Sequence, residues 1–515
     1  MKSQYAILKE AFDGFMAGEV SPEVLKPVSA PFGIYQQRNA HFMVRVRVNG
    51  GEIACERLAG LAGVLDVSGG HAHLTSRQDI QLHDIPAARV VDVVVAIDRL
   101  GLPLKGGGGN TYRNILVGSD SGLSSESVFD VYPYAHVLNR AMQKCEKAFS
   151  LPRKLKIGIF ACERDRLLAS VQDLGFVAKH IDGQEGFAVF AAGGMGRESS
   201  VGLELFGFLP ASQIVRAAVA LTELFYDHGD RVNRSQARLR FLLKRLGAVA
   251  FQRLYLEYFA RTESPLVNLR ADDPFPVLIK GLKRGRAIEP MAGFASWEQI
   301  AVLPTRFGDA VKSVRLFVPY GRLDAGQLRK IAALAEGYGS PAVRLLTTQD
   351  ILIPLVHRSA LPSLYKRLRK EFVDVDLMFA SYRGHFTTCV GSTVCKIGMV
   401  NAPEVADKIA AALDSYLPPD TPERLALLKM VADELRISGC PNSCAGHPAA
   451  RIGIGCVNQK VDGVIQPFAR VLTGAGVTGG EPHLSTEGER TSASPIDAAI
   501  GAVLAKCLSA AGLSS

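Results

Sequence analysis

The chain has little of what several classes of protein depend on. It holds nine Cys and one Trp in 515 residues, too few thiols for a disulfide-held secreted scaffold of this size. Nothing at Met1-Lys-Ser-Gln-Tyr5 has the apolar core of an export signal, so a reducing, cytoplasmic setting is expected. Long hydrophobic runs are missing as well. Val90 to Ile97 and Ala498 to Ala505 are short, and the first carries Asp92, far from the roughly 20 apolar residues a membrane span needs. Nucleic acid is a poor partner, because Lys and Arg are dispersed, one Trp offers little base stacking, and Lys280-Gly-Leu-Lys283-Arg-Gly-Arg286 reads as a solvated loop. What remains is a net charge of +9, which suits a small anion or an acidic protein. The length allows three or four domains.

Four of the nine cysteines are grouped, as Cys389-x5-Cys395 and Cys440-x3-Cys444. Two loops that each supply a close pair of thiolates can hold an iron–sulfur cube. Zinc is the competing reading, although it favours shorter pairs such as C-x2-C. Cys55, Cys145, Cys162, Cys456 and Cys507 have no such partner and read as small core residues. Gly474-Ala-Gly-Val-Thr-Gly479 has the glycine pattern of a dinucleotide turn, but Gly480 and Pro482 stand where a helix must follow, so a glycine-rich turn near an anionic group is expected instead. Lys105-Gly-Gly-Gly-Gly109 lacks the Lys-Ser or Lys-Thr of a P-loop.

Two distant stretches read alike. Met43-Val-Arg-Val-Arg-Val48 leads through a helical segment to Leu74-Thr-Ser-Arg-Gln-Asp-Ile-Gln-Leu82, and Ser313-Val-Arg-Leu-Phe-Val318 leads through Ala325 to Glu336 to Arg344-Leu-Leu-Thr-Thr-Gln-Asp-Ile-Leu-Ile353. The alternation implies strands with one buried face and, in the first copy, guanidinium groups on the other. The second copy keeps Arg315 but has Phe317 for Arg47 and Thr348 for Arg77, so the first is expected to hold the ligand and the second to complete the scaffold. A fainter echo pairs Leu155 to Phe160, Asp173-Leu-Gly-Phe176 and Gly186 to Phe190 with the segment at Cys440, Arg451-Ile-Gly-Ile454 and Phe468 to Leu472. The order is A-B-A′-B′. Thr421-Pro-Glu predicts the start of a helix that Gly439 ends, leaving Cys440 on a loop.

Phe42-Met-Val-Arg-Val-Arg47, Leu74 to His83, Arg113-Asn114, Leu151-Pro-Arg-Lys-Leu-Lys156, Cys389-x5-Cys395 and Gly439-Cys-Pro-Asn-Ser-Cys444 occur in one order over most of the chain. In this the chain resembles the sirohaem and [4Fe–4S] sulfite and nitrite reductases. The resemblance implies a duplicated α+β fold with three lobes: one shared ferredoxin-like domain from two half-repeats (1–115 with an N-terminal helix, and 286–383) and two α/β domains (116–285 for sirohaem and substrate, 384–515 for cluster and sirohaem). It implies that Cys389, Cys395, Cys440 and Cys444 hold the cluster, Cys444 also bridging to the sirohaem iron. Arg47, Thr75, Arg77, Gln81 and Asn442 would support the sirohaem, and Arg45, Arg113, Lys154 and Lys156 would face the substrate. His73 stands where sulfite reductases commonly carry Arg, which puts one cofactor contact in question.

Lys154-Leu-Lys156 follows the sulfite pattern, where ferredoxin-type nitrite enzymes carry Lys-x-Asn, whereas Ser443 between the last two cysteines is a nitrite-like feature. The expectation is six-electron reduction of sulfite, with nitrite the alternative. Without a flavin or nicotinamide motif, electrons come from a ferredoxin or a separate reductase subunit, and a basic surface suits an acidic donor. An electron-transferring Fe–S protein without haem, or a cobalamin-pathway oxygenase on the same scaffold, would leave the four substrate-side cations unexplained.

Overall fold

The Val/Arg alternation folds as the strand Phe42–Val46, with Val44 and Val46 fully buried and Arg45 turned to the other face. Ile80–Ile85 pairs with it, Arg45 opposite Gln81, and His71–Leu74 lies on the far side with His73 opposite the same Gln81. The second half repeats this with Val311–Leu316, Ile351–His357 and Ala342–Leu345. Each half gives one strand to the other: Arg322–Leu323 closes the first sheet against His71–Leu74, and Glu52–Ala54 closes the second against Ala342–Leu345. The helices Cys55–Ser68 and Ala325–Gly337 pack together over the exchange. The two half-repeats therefore share one core and form one structural unit. The computed structural model describes the chain except residues 1–3, 268, 270–273, 287, 379–381, 383–384, 418–420, 486–492, 511 and 513–515, so the expected boundary at 383/384 lies outside the described residues.

The other two sheets carry the second duplication. Leu116–Val117, Ile157–Phe160, Leu174–Ile181, Gln184–Ala191 and Leu203–Pro210 pair in that order, as do Thr387–Thr388, Leu435–Ser438, Ile452–Val461, Val464–Thr473 and Ser494–Pro495. In both, the first two pairings are parallel and the last two antiparallel. The echoed glycines have the same physical reason. A Cβ on Gly175 would stand 2.0 Å from the Ala169 carbonyl oxygen, and one on Gly453 2.0 Å from that of His447. Gly453→Ala should therefore cost at least the upper part of the about 1–3 kcal/mol typical of overpacking. Its thermal midpoint should drop well below wild type, while Gly501→Ala, inside a helix and where a Cβ meets nothing within 4 Å, should hold or raise the midpoint.

Two glutamines staple the units together in mirror fashion. Gln78 donates to Val117 O and Leu345 O and accepts from Val117 N. Gln349, its repeat counterpart, donates to Leu74 O and accepts from Thr388 N. The helix expected from Thr421 spans Pro422–Glu434, with the Thr421 side chain accepting from Arg424 N. Gly439 does not end it, because the strand Leu435–Ser438 intervenes, its Leu435 and Ile437 being buried between parallel neighbours. Cys440 does lie on the loop beyond. Gly474-Ala-Gly leads into a small hairpin, Gly476–Thr478 against Glu481–His483, so a strand and not a helix follows the glycine turn. Among the described residues no helix is long and apolar enough to cross a membrane.

Candidate functional site: a thiol cage against a belt of cations

Both cysteine loops fold onto one point. Cys389 leaves the end of Thr387–Thr388, and the loop to residue 400 returns so that Met399 N and Val400 N donate to Gly439 O. Gly439 N donates to Cys389 Sγ at 3.1 Å. Burial pushes the Cys389 thiol up to about 12, with Cys444 and Cys440 adding to the effect. Cys440 is also raised, first by burial and then by Cys444 and Cys395, while Asn442 opposes this through hydrogen bonds from its backbone and side chain. Cys440 thus lies within electrostatic reach of the other three thiols, and Cys389 within reach of Cys444. Among the described residues no three of these sulfurs lie within 4.8 Å of each other, as the ligands of a single tetrahedral zinc would. A wider cage fits the faces of a four-iron cube, and iron binding would displace the protons that burial holds on the thiols. The group that does meet that distance is Asp120, Cys162 and Asp165, where Arg164 pairs with Asp120. Cys55 and Cys507 are buried, Cys456 is buried close to Cys440, and Cys145 is half-buried.

The cage is tied to both half-repeats. Arg38 donates to Cys395 O and Gly398 O, Ser76 Oγ to Cys444 O, and Arg436 to Thr347 O and Ala445 O. Cys444 is exposed and faces the first half of the chain. There Lys154 lies close enough to feel it, and burial, Arg238 and Arg113 bring the Lys154 ammonium down to about 7. Lys156 is held well below the usual lysine range, by burial and then by Lys154, Arg77 and Arg238. Burial takes Arg113 down to about 10, with Arg45 next in weight, and takes Arg77 down to about 9. A belt of positive charge therefore runs from Arg45 to Cys444.

Backbone carbonyls of the tetraglycine segment hold three of these arginines. Arg45 donates to Gly107 O, Arg47 to Lys105 O and Arg113 to Gly109 O. A Cβ on Gly108 would lie 2.1 Å from Ala30 O and 2.4 Å from the Tyr35 hydroxyl, so the collar closes only with glycine. Tyr35 accepts from Gly109 N at 2.8 Å and bonds Arg113. Arg47 is 2% exposed, stacks on Tyr112 at 4.3 Å and also donates to Asn139. Arg77 reaches Gln172 and Ile157 O. Thr75 Oγ1 accepts from Arg77 N and Asp79 N, shaping the turn. With its oxygen toward Arg45, the Gln81 amide accepts from Nη2 at 2.6 Å and donates to His83. His73 is buried against Gln349, and burial takes it down to about 3. It is thus neutral and does not replace an arginine's charge.

Sequence reasoning missed several members. Asp173, fully buried, accepts from Arg238 Nη2 at 3.1 and 2.9 Å and from Lys156 N at 2.8 Å, fixing the lysine loop. Arg240 and Arg153 border the same charge, and Tyr35 and the glycine collar complete it. Only the alternation in Arg238-Leu-Arg240 hinted at this. Around this belt, buried guanidinium nitrogens without a hydrogen-bond partner among the described residues are Nε of Arg47, Arg77, Arg113, Arg238 and Arg240, and Nη1 of Arg113 and Arg240; Arg166 Nε is a further one elsewhere. Such a concentration of unused donors is costly in a bare protein. It fits a cofactor with many carboxylates, such as sirohaem, and an anionic substrate.

Comparison with known proteins agrees. Residues 108–262 match the nitrite and sulphite reductase 4Fe-4S domain, and 35–100 and 306–371 match the nitrite/sulfite reductase ferredoxin-like half domain. The chain is 27% identical to the ferredoxin–nitrite reductase of Synechococcus elongatus over 86% of this chain and 81% of that one. It is 27% identical to the sulfite reductase [NADPH] hemoprotein beta-component of Acidithiobacillus ferrooxidans (80% and 74% covered) and 26% identical to sulfite reductase [ferredoxin] 2 of Mycolicibacterium paratuberculosis (89% and 75%). The solved structure of Mycobacterium tuberculosis NirA overlays with a TM-score of 0.75 at 21% identity, covering 97% of this chain and 92% of that one, and bears out the duplicated α+β fold. The two family models together span more than half of the chain, which belongs to the nitrite and sulfite reductases, oxidoreductases that work with sirohaem and a [4Fe–4S] cluster.

Proposed function

We propose that this chain reduces sulfite to sulfide, with Cys389, Cys395, Cys440 and Cys444 holding the cluster and the Cys444 thiolate shared with the sirohaem iron. The observation that carries the reading is the second lysine of Lys154-Leu-Lys156, which shares the belt with Arg45, Arg77, Arg113 and Arg238. An entering dianion favours the protonated form of that crowded lysine more strongly than a monoanion does, so a pyramidal dianion gains more from it than a planar monoanion. When bound, the two cofactors would relay the donor's six electrons to the anion and offer an open coordination position. The chain's own groups do the rest. Arg45 and Arg113 offer fixed guanidinium donors to the oxyanion. The crowded lysines give up protons readily as oxygens leave as water. Arg47, Arg77 and Asn442 support the sirohaem edge, with Thr75 and Gln81 holding Arg77 and Arg45 in place. A small acidic ferredoxin is the donor this reading favours, on account of the net charge of +9.

Nitrite is the second reading, favoured by Ser443 and by the nitrite reductases among the relatives. Steady-state reduction of the two anions side by side, with a chemical donor, decides between them. A higher kcat/KM for nitrite would overturn the sulfite assignment. Lys156→Asn should lower kcat/KM for sulfite by about 10- to 100-fold, the size of one lost charge contact in a partly desolvated site, and should affect nitrite much less. Equal losses would mean that Lys156 does not discriminate.

A further inference from the structure

Asp79 lies where the arginines meet, and the reading above gives it no task. It is 3% exposed, its Oδ2 is 4.0 Å from Arg45 Nε, and its Oδ1 has no hydrogen-bond partner among the described residues. Arg45 and Arg47 face it from Phe42–Val46 and the residues just beyond, Arg77 from its own turn, and Arg113 from the segment after the glycine collar, with Tyr35 beside Arg113. Burial raises its carboxyl above the ordinary range even against these four cations. The duplication supplies an internal control. Arg315 and Asp350 occupy the positions of Arg45 and Asp79, since Arg315 pairs with Leu352 as Arg45 pairs with Gln81. There the ion pair is closed: Asp350 Oδ2 accepts from Arg315 Nε at 3.0 Å and Nη2 at 2.8 Å, and Oδ1 accepts from Val318 N. The first copy has the same two residues and leaves the pair open.

We propose that Asp79 is a proton-holding residue of the anion hollow, taking up a proton from solvent when an oxyanion enters among Arg45, Arg47, Arg77 and Arg113, and so setting the charge the anion meets. Ionised, the carboxylate repels the incoming anion and competes for the guanidinium groups. Protonated, its hydroxyl is one more donor and the carboxylate no longer competes with the ligand for the four arginines. The opened Arg45–Asp79 pair is what makes the exchange possible, because a carboxylate saturated as Asp350 is would not give up its partner.

The inference rests on the reading that this hollow takes the substrate anion, and its test separates the two. The probe is nitrite, a monoanion across the range used, titrated into oxidised holoenzyme without an electron donor. Binding is followed in the visible spectrum and proton uptake by calorimetry in buffers of different ionisation enthalpy. On the acid side of the range where Lys154 changes charge, wild type should take up more protons per nitrite than Asp79→Asn, the difference being the proton on Asp79, since Lys154 and Lys156 face the same hollow in both proteins. Its affinity should fall by up to about tenfold per pH unit as the carboxyl ionises. Asp79→Asn should bind nitrite with clearly less uptake and a shallower pH dependence than wild type. Asp350→Asn should lower the thermal midpoint but keep wild-type uptake per bound nitrite. Absence of uptake in wild type, equal uptake in Asp79→Asn, or its loss in Asp350→Asn as well would each overturn the role of Asp79. No nitrite binding at all would overturn the site reading with it.

Discussion

Cys444→Ser should yield a folded protein that has lost its sirohaem. The Cys444 side chain is exposed and its carbonyl, not its sulfur, receives Ser76 Oγ, so the substitution removes nothing that the polypeptide needs to fold. It removes the thiol on the face of the cage nearest Lys154 and the cation belt. A serine hydroxyl is not a thiolate at neutral pH and is a poor ligand for iron. If Cys444 is the sulfur shared between the two cofactors, visible haem absorption disappears, iron and acid-labile sulfide fall, and turnover drops by more than the about 10–100-fold that losing an outer-shell partner of a metal costs. Cys456→Ser is the comparison. Its thiol is buried beside Cys440 but outside the cage, and that variant should keep its cofactors. Normal haem content and turnover in Cys444→Ser would remove the bridging assignment.

The parts of this site that could be read in the sequence are those whose chemistry is local. Four thiols spaced as two close pairs, arginines alternating with valines on a strand, and a repeated Gln-Asp-Ile after each helix all keep their meaning in one dimension. The glycines echoed at Gly175 and Gly453 were legible for the same reason, because each answers a carbonyl passing a strand start in its own module. Residues whose meaning comes from a tertiary crossing were not. Nothing near Asp173 announces that Arg238 will fold back onto it, and Lys105-Gly-Gly-Gly-Gly109 looks like a failed phosphate loop until Arg45, Arg47 and Arg113 arrive to use its carbonyls. Asp79 and Asp350 are indistinguishable by motif, yet one is saturated and the other is not. Gly439 was misread because a four-residue strand, Leu435–Ser438, is too short for its pattern to stand out against the preceding helix.

Asp173→Ala should be among the most damaging single changes outside the thiol cage. The carboxylate has no exposure, carries both hydrogen bonds from Arg238 Nη2, and is the acceptor for the Lys156 amide. Removing it leaves a guanidinium buried without its counter-ion, which costs about 3–5 kcal/mol, and leaves a backbone N–H unpaired as well. The lysine loop then loses the contact that fixes where Lys154 and Lys156 stand, and a displacement of about 1 Å at a reacting group can cost about 100-fold in rate. Stability and function separate in the double variant. Asp173→Ala with Arg238→Met removes both charges, so the thermal midpoint should recover most of the loss, because an apolar replacement of a buried pair is often close to neutral. Sulfite turnover should not recover, since the Lys156 amide is still unanchored and the belt has lost Arg238. A double variant that regains full activity along with its stability would show that the pair only holds the fold, and that Asp173 does not position the lysines.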